Sequence, residues 1–107
     1  MTIQPVRGRV YMAAFDDAGV VEKPYVVVSN NGRNNRLSDV VGVRITTTAK
    51  KEIATVIPLG PDDPLVGSVL CDTIVLIYKN ELKRDVGALS RATMIKVADG
   101  LRAALSL

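Results

Sequence analysis

Residues 22–35 read EKPYVVVSNNGRNN, and the first half of this stretch decides the class of fold. Tyr25, Val26, Val27 and Val28 are apolar at four consecutive positions, the pattern of a strand buried on both faces. Pro24 opens the strand, where a missing N–H is tolerated, and it biases Lys23 toward extended backbone. The lysine therefore leaves from a stiff point. After Ser29 the chain becomes polar, with Asn30, Asn31, Gly32, Arg33, Asn34 and Asn35 in succession. So much Asn and Gly predicts a loop over 30–38 and not a helix. A generic strand needs only a turn signal at each end, whereas this one has a cation before it and a cation-bearing loop after it.

Working outward, RGRVYMAAF (7–15) reads as a first strand entered through Gly8, and DDAGVVE (16–22) as a loop. DVVGVRITTT (39–48) is a third strand, rich in β-branched residues, and KEIATVIPLG (51–60) a fourth. PDDPLVG (61–67) is a turn-rich loop, in which Asp62 and Asp63 read as loop solvation and not as a metal pair. SVLCDTIVLIYK (68–79) is one long strand or two, broken near Asp72, and 81–90 a short strand or coil. The last segment is a helix. Ser90 is its N-cap, and Met94, Val97, Ala98, Leu101 and Leu105 recur at helical spacing as an apolar stripe. Gly100 lies beside that stripe and costs about 1 kcal/mol relative to alanine. Several short strands and a terminal helix, without a βαβ rhythm, predict one domain over residues 1–107, a small antiparallel barrel of mainly β (α+β) class.

The 107 residues are 48% hydrophobic and only 4% aromatic, so the core must be built from Val, Ile, Leu and Ala. The formal net charge is +3, which favours anionic partners. The positive charge is concentrated N-terminally. Residues 1–51 hold eight Lys/Arg against four Asp/Glu, and residues 52–107 hold six against seven. That asymmetry is a nucleic-acid signal. No signal peptide or membrane-length apolar run is present, so a cytoplasmic protein without membrane contact is expected. With no histidine and one cysteine, no zinc spacing exists and a Ser-His-Asp or Cys-His nucleophile is excluded. Any enzyme here must move protons through Asp/Glu, Lys, Arg, Tyr or Thr.

In strand three, Val41, Val43 and Ile45 share one face, while Arg44, Thr46 and Thr48 share the other, with Lys50 beyond. The second face is either a solvated surface, since threonine is a good strand former, or a row of a guanidinium and two hydroxyls facing a ligand. Asp72 lies within VLCDTIVLI. Buried aspartate is rare unless paired, so it is either a structural acceptor of backbone N–H groups or a carboxylate at a bulge facing a cleft. Lys23 alone reads as a surface lysine, and Cys71 as a small core residue.

Taken in order, RGRVYMAAF, KPYVVVSNNGRNN, VRITTT, GSVLCDTI and DVGALSRATMIKVADGLRAALSL resemble the MazF/PemK family of toxin endoribonucleases, from about Arg7 to Leu107. The resemblance implies an SH3-like/CcdB-like antiparallel barrel with a C-terminal helix. It also implies a homodimer that cuts single-stranded RNA at short motifs without metal or cofactor. A cognate antitoxin, whose acidic disordered segment lies in the RNA groove, would silence it. The family's basic residue before the strand-two proline falls on Lys23, the strand-three threonine on Thr46, and the carboxylate of its C-D-Q-I-like segment on Asp72, here CDTI. These three are the implied catalytic residues, with Arg9, Arg33, Asn34, Arg36, Arg44 and Thr48 expected to bind RNA. Two features depart from the family pattern. The 16–22 loop is short, and lysine replaces the usual arginine at 23, keeping the charge without the planar fork. The arginine's role falls to Lys23 or to another cation such as Arg44 or Arg9.

Two other readings fit the same barrel. One is a CcdB-like toxin that poisons DNA gyrase by protein contact through its C-terminal helix. The other is a barrel that binds RNA without cutting it.

Overall fold

The computed structural model describes residues 3–15, 21–48 and 51–107. Most of the predicted 16–22 loop, and Lys50, lie outside these residues. The elements run β1 (Arg9–Ala13), β2 (Lys23–Val27), α1 (Asn31–Arg36), β3 (Asp39–Thr46), β4 (Val56–Pro58), β5 (Ser68–Tyr78), β6 (Leu82–Ala88) and α2 (Arg91–Leu105). The strands form one antiparallel sheet in the order β4-β5-β3-β2-β1-β6. The mainly β class and C-terminal helix are as expected, but the sheet stays open, with β4 and β6 as its two edges.

Both faces are apolar, as the run at 25–28 requires. Val10, Val26, Val43, Ile45, Val69, Cys71, Leu89 and Val97 form the layer under α2. Tyr11, Ala13, Tyr25, Val27, Val40, Ile77 and Leu82 form the second layer. Alternation along β2 sends Val26 to one layer and Tyr25 and Val27 to the other. The second face of β3 is therefore not wholly solvated, since Val40 and Gly42 at its start are buried.

Of the two readings of 81–90, the strand holds, over Leu82–Ala88. Two elements differ from expectation. Strand four shrinks to three residues. Residues 31–36 form a short helix despite their composition. Its N-cap Asn30 accepts a hydrogen bond from the Arg33 N–H at 2.8 Å. Its Asn34 is fully buried, donating to the Ser29 carbonyl at 2.9 Å and accepting from the Ser29 hydroxyl at 2.5 Å. Tertiary contacts thus override weak propensity. The long strand is continuous, but its pairing is interrupted near Asp72. Val43 pairs with Ile74, and Ile45 pairs with Val69, so residues 70–73 of β5 bulge opposite Arg44.

Helix α2 begins at Ser90, whose hydroxyl accepts from the Thr93 N–H at 3.2 Å. Gly100 explains itself by approach. A Cβ there would lie 2.7 Å from Cys71 Sγ and 3.2 Å from Ile57 Cγ1, so its propensity cost is offset by close helix–sheet packing. Cys71 lies in this seam, where burial and then the neighbouring Asp72 charge push its thiol pKa up to about 11. It is an inert core residue.

Asp63 is not loop solvation. Its carboxylate accepts from Ser90 N at 2.7 Å, the Thr93 hydroxyl at 2.7 Å and Gly60 N at 2.6 Å, tying the 59–67 loop to the start of α2. Partial burial raises its pKa, but the hydrogen bonds from Ser90, Thr93 and Gly60 together outweigh that and leave it below the ordinary value of 3.8. A depressed carboxylate stabilises the fold above its unfolded pKa and loses that contribution as pH falls through the folded pKa. Asp63→Asn is expected to lower stability by about 1–2 kcal/mol at neutral pH. In urea titrations the gap from wild type should close as pH drops below about 4. A gap that persists unchanged at lower pH would mean that the charge is not what holds the loop.

Candidate active site

Lys23 is the first residue of β2 and is exposed. On the β3 side pairing starts only at Tyr25↔Arg44, so the N–H that Pro24 lacks leaves no gap in that ladder. Cross-strand partners share a face, which places Tyr25 and Arg44 together and, by alternation, Lys23 and Thr46 with them. Carried two residues beyond its last pair, the same register sets Lys23 across from Thr46.

Thr46 ends β3 and is nearly buried, at 9% exposure. Its hydroxyl oxygen accepts from the Thr48 N–H at 3.2 Å, so its own proton is free to donate outward. Its backbone is closely approached by Gly67. That glycine has a φ of +142°, and a Cβ on it would fall on the Thr46 carbonyl oxygen and 3.3 Å from Thr47 Cα. Thr48 is exposed just past the strand end.

Arg44 is half-buried and fixed at two points. Its Nε donates to the Ile45 carbonyl at 2.9 Å, and its guanidinium carbon lies 5.8 Å from the Tyr25 ring centroid, within cation–π range. Phe15 meets that ring edge-on, with centroids 5.4 Å apart at 69°. Sequence reading missed both aromatics. The available signal was the strand pairing that puts Tyr25 opposite Arg44.

Asp72 is exposed on the β5 bulge and accepts from the Thr55 hydroxyl at 2.7 Å. Thr46 pairs with Ser68, and Val69 and Cys71 point into the helix-side core. Alternation therefore turns Ser68, Leu70 and Asp72 toward the Thr46 face. Bulges commonly re-aim side chains beside active sites.

The remaining candidates lie elsewhere. Arg9 is paired with Asp85 at 3.0 Å, both partly exposed, and that partner's hydrogen bond and charge raise its pKa. Arg9 stands four residues, about 13 Å, along β1 from Ala13, the residue opposite Lys23. Arg33 donates to the Asp39 carbonyl at 2.9 Å and is ion-paired with the Asp39 carboxylate. Asn34 is turned inward, while Arg36 is exposed. These three sit at the Asp39 end of β3, seven residues or about 23 Å from Thr46. Exposed Arg7 lies there too, its backbone N–H donating to Asn31 Oδ1 at 2.8 Å. The structure thus brings Lys23, Arg44, Thr46, Thr48 and Asp72 to one face and sets a second basic cluster at the far end. Among the described residues no group of three or more His, Cys, Asp or Glu is placed to hold a metal ion. No helix there is long and apolar enough to cross a membrane.

A face with a lysine, an arginine fork, a threonine hydroxyl and a carboxylate can grip a phosphodiester and move protons around it. Comparison with known proteins points the same way. The sequence profile of PemK-like, MazF-like toxins of type II toxin–antitoxin systems matches residues 6–105. Endoribonuclease MazF4 of Mycobacterium tuberculosis (strain ATCC 25618 / H37Rv) is 45% identical over 103 residues, spanning 96% of this chain and 94% of that protein. A solved mycobacterial endoribonuclease in complex with its cognate antitoxin is 45% identical, with a TM-score of 0.88 and 96% of each chain covered. A MazE–MazF structure from Deinococcus radiodurans has a TM-score of 0.84, with 98% of each chain covered; at 17% identity it bears on the fold alone.

Proposed function

The chain belongs to the family of PemK-like, MazF-like toxins of type II toxin–antitoxin systems, and from that premise we propose that it is an endoribonuclease toxin. It cleaves single-stranded RNA at short sequence motifs, stops translation, and is neutralised by a cognate antitoxin carrying an acidic disordered segment. It acts in the cytoplasm as a homodimer, with residues 1–107 as one domain. The observation that supports the reading is the pairing of Tyr25 with Arg44, from which alternation puts Lys23 and Thr46 on the face of Arg44.

The reaction is attack of the RNA's own 2′-oxygen on the adjacent phosphorus, with cleavage of the bond to the 5′-oxygen. The products are a 2′,3′-cyclic phosphate and a 5′-hydroxyl. One group must take the 2′ proton, cations must stabilise the crowded phosphate, and a proton must reach the leaving oxygen. Lys23 stabilises the phosphate and donates that proton. Thr46, whose oxygen is occupied by the Thr48 N–H, donates its hydroxyl hydrogen to a phosphate oxygen. Asp72 orients or deprotonates the 2′-hydroxyl, itself steadied by Thr55. Electrostatic stabilisation is the largest protein contribution expected in such a site. Arg44 and Thr48 bind the RNA on the same face. Arg36 serves nucleotides further along, as do Arg9 and Arg33 where a phosphate competes with their acidic partners. Asn34 acts by holding α1.

Purified protein added to a defined RNA in the presence of EDTA is expected to give new 5′-hydroxyl ends at one short motif. RNA left intact under these conditions would overturn the reading, and inhibition of gyrase by the same sample would replace it.

A further inference from the structure

Resting on that reading, we infer that Arg44 contacts the scissile phosphate itself, and that Tyr25 is the positioning residue that aims it. A phosphorus passing through a five-coordinate state presents several charged oxygens at once, and a lysine answers with one mobile point charge. A guanidinium answers with a planar fork that can hold two oxygens together. Lys23 therefore leaves a two-point grip unfilled on its face of the sheet.

The arginines do not compete equally for that place. Arg9 is neutralised by Asp85 and Arg33 by Asp39, and Arg33 lies at the far end of β3. Arg44 has no acidic partner among the described residues and shares the face of Lys23 and Thr46. Its geometry is already restricted. The Nε bond to the Ile45 carbonyl uses the donor nearest the chain, and the Tyr25 ring stands against the guanidinium. Both Nη groups remain to meet a ligand, with little rotamer freedom left to lose on binding. Tyr25 is itself fixed, 93% buried and braced by the Phe15 edge. The β5 bulge opposite Arg44 opens the ladder where the fork emerges.

The test is single-turnover cleavage of a defined RNA, paired with binding of the same strand carrying a 2′-deoxy residue at the cut. Arg44→Ala is expected to lower kcat about 100-fold, the usual loss on removing one transition-state donor. The slope of log affinity against log salt should fall by about 0.7, one phosphate's share on a single strand. Arg44→Lys, keeping charge without the fork, should recover less than half of the loss on a logarithmic scale. Tyr25→Leu should lower kcat about 5-fold, and Tyr25→Phe, which keeps the ring, should restore most of that. Lys23→Arg should raise the cleavage rate in the Arg44→Ala background by supplying a fork from the facing strand. A raised KM with unchanged kcat in Arg44→Ala would overturn the inference, making Arg44 a flanking contact. Equal losses in Tyr25→Phe and Tyr25→Leu would overturn the role of the ring. A wild-type protein that leaves RNA intact would count against the proposed function, whereas wild-type cleavage with full activity in Arg44→Ala would refute this inference alone.

Discussion

The Lys23→Ala protein is expected to cleave RNA about 100–1,000-fold more slowly than wild type, with an unchanged fold. The size follows from what is removed. In the proposed mechanism Lys23 provides both a charge on the phosphate and a proton for the leaving oxygen, and a site without histidine has few substitutes for the second task. The unchanged fold follows from exposure, since the side chain lies outside both core layers and exposed positions rarely move stability by more than about 0.5 kcal/mol. Thr46→Ala should lose activity on the same scale, at a greater cost in stability, because its oxygen also holds the Thr48 N–H. Single-turnover rates on a defined RNA, beside thermal melts of each protein, decide the matter. Full activity in either purified variant would remove that residue from the mechanism.

Among the described glycines, Gly67→Ala is expected to be the most damaging substitution by alanine. It adds a Cβ at a backbone φ of +142°, where L-residues are strained, and aims that atom at the Thr46 carbonyl. Backbone strain of this kind costs about 1–3 kcal/mol and overpacking a similar amount, so a loss of about 2–4 kcal/mol is expected in urea unfolding. The clash can be relieved only by moving the peptide that carries Thr46, so cleavage should fall even where the protein remains folded. Gly60→Ala is the matched control. Its added carbon would meet only Asp63 Oδ2, at 3.6 Å, and its effect should stay within about 0.5 kcal/mol. Similar behaviour of the two variants would show that Gly67 does not set the position of Thr46.

What could be read from the sequence follows a physical division. The run Tyr25-Val26-Val27-Val28 announces a two-faced strand, and Ser90 with its apolar stripe announces α2, because both signals are local. Helix α1 was not legible. Its Asn and Gly residues argue against a helix, and it exists because Asn34 is buried against Ser29. The face shared by Arg44 and Thr46 follows from alternation alone, and Lys23 joins it through the β2–β3 register. Charge neutralisation does not follow from either. Arg9 meets Asp85 across the β1–β6 pairing, 76 positions along the chain, and no local pattern foretells that. Tyr25 was read as core, and it is; that its ring also steadies a cation depends on which residue faces it.

The two borders of the sheet bear on how this protein meets others. β4 has only three residues and ends in Pro58, so it offers a short, interrupted row of backbone donors. β6 carries Lys83, Arg84 and Asp85 in succession, all exposed, which burdens any incoming strand with charges to desolvate. Such borders discourage strand-by-strand growth. A toxin of this family can thus accumulate without polymerising along its own margins. Contacts made by the folded molecule are then directed to its broad surfaces, where side chains and not bare backbone decide who binds.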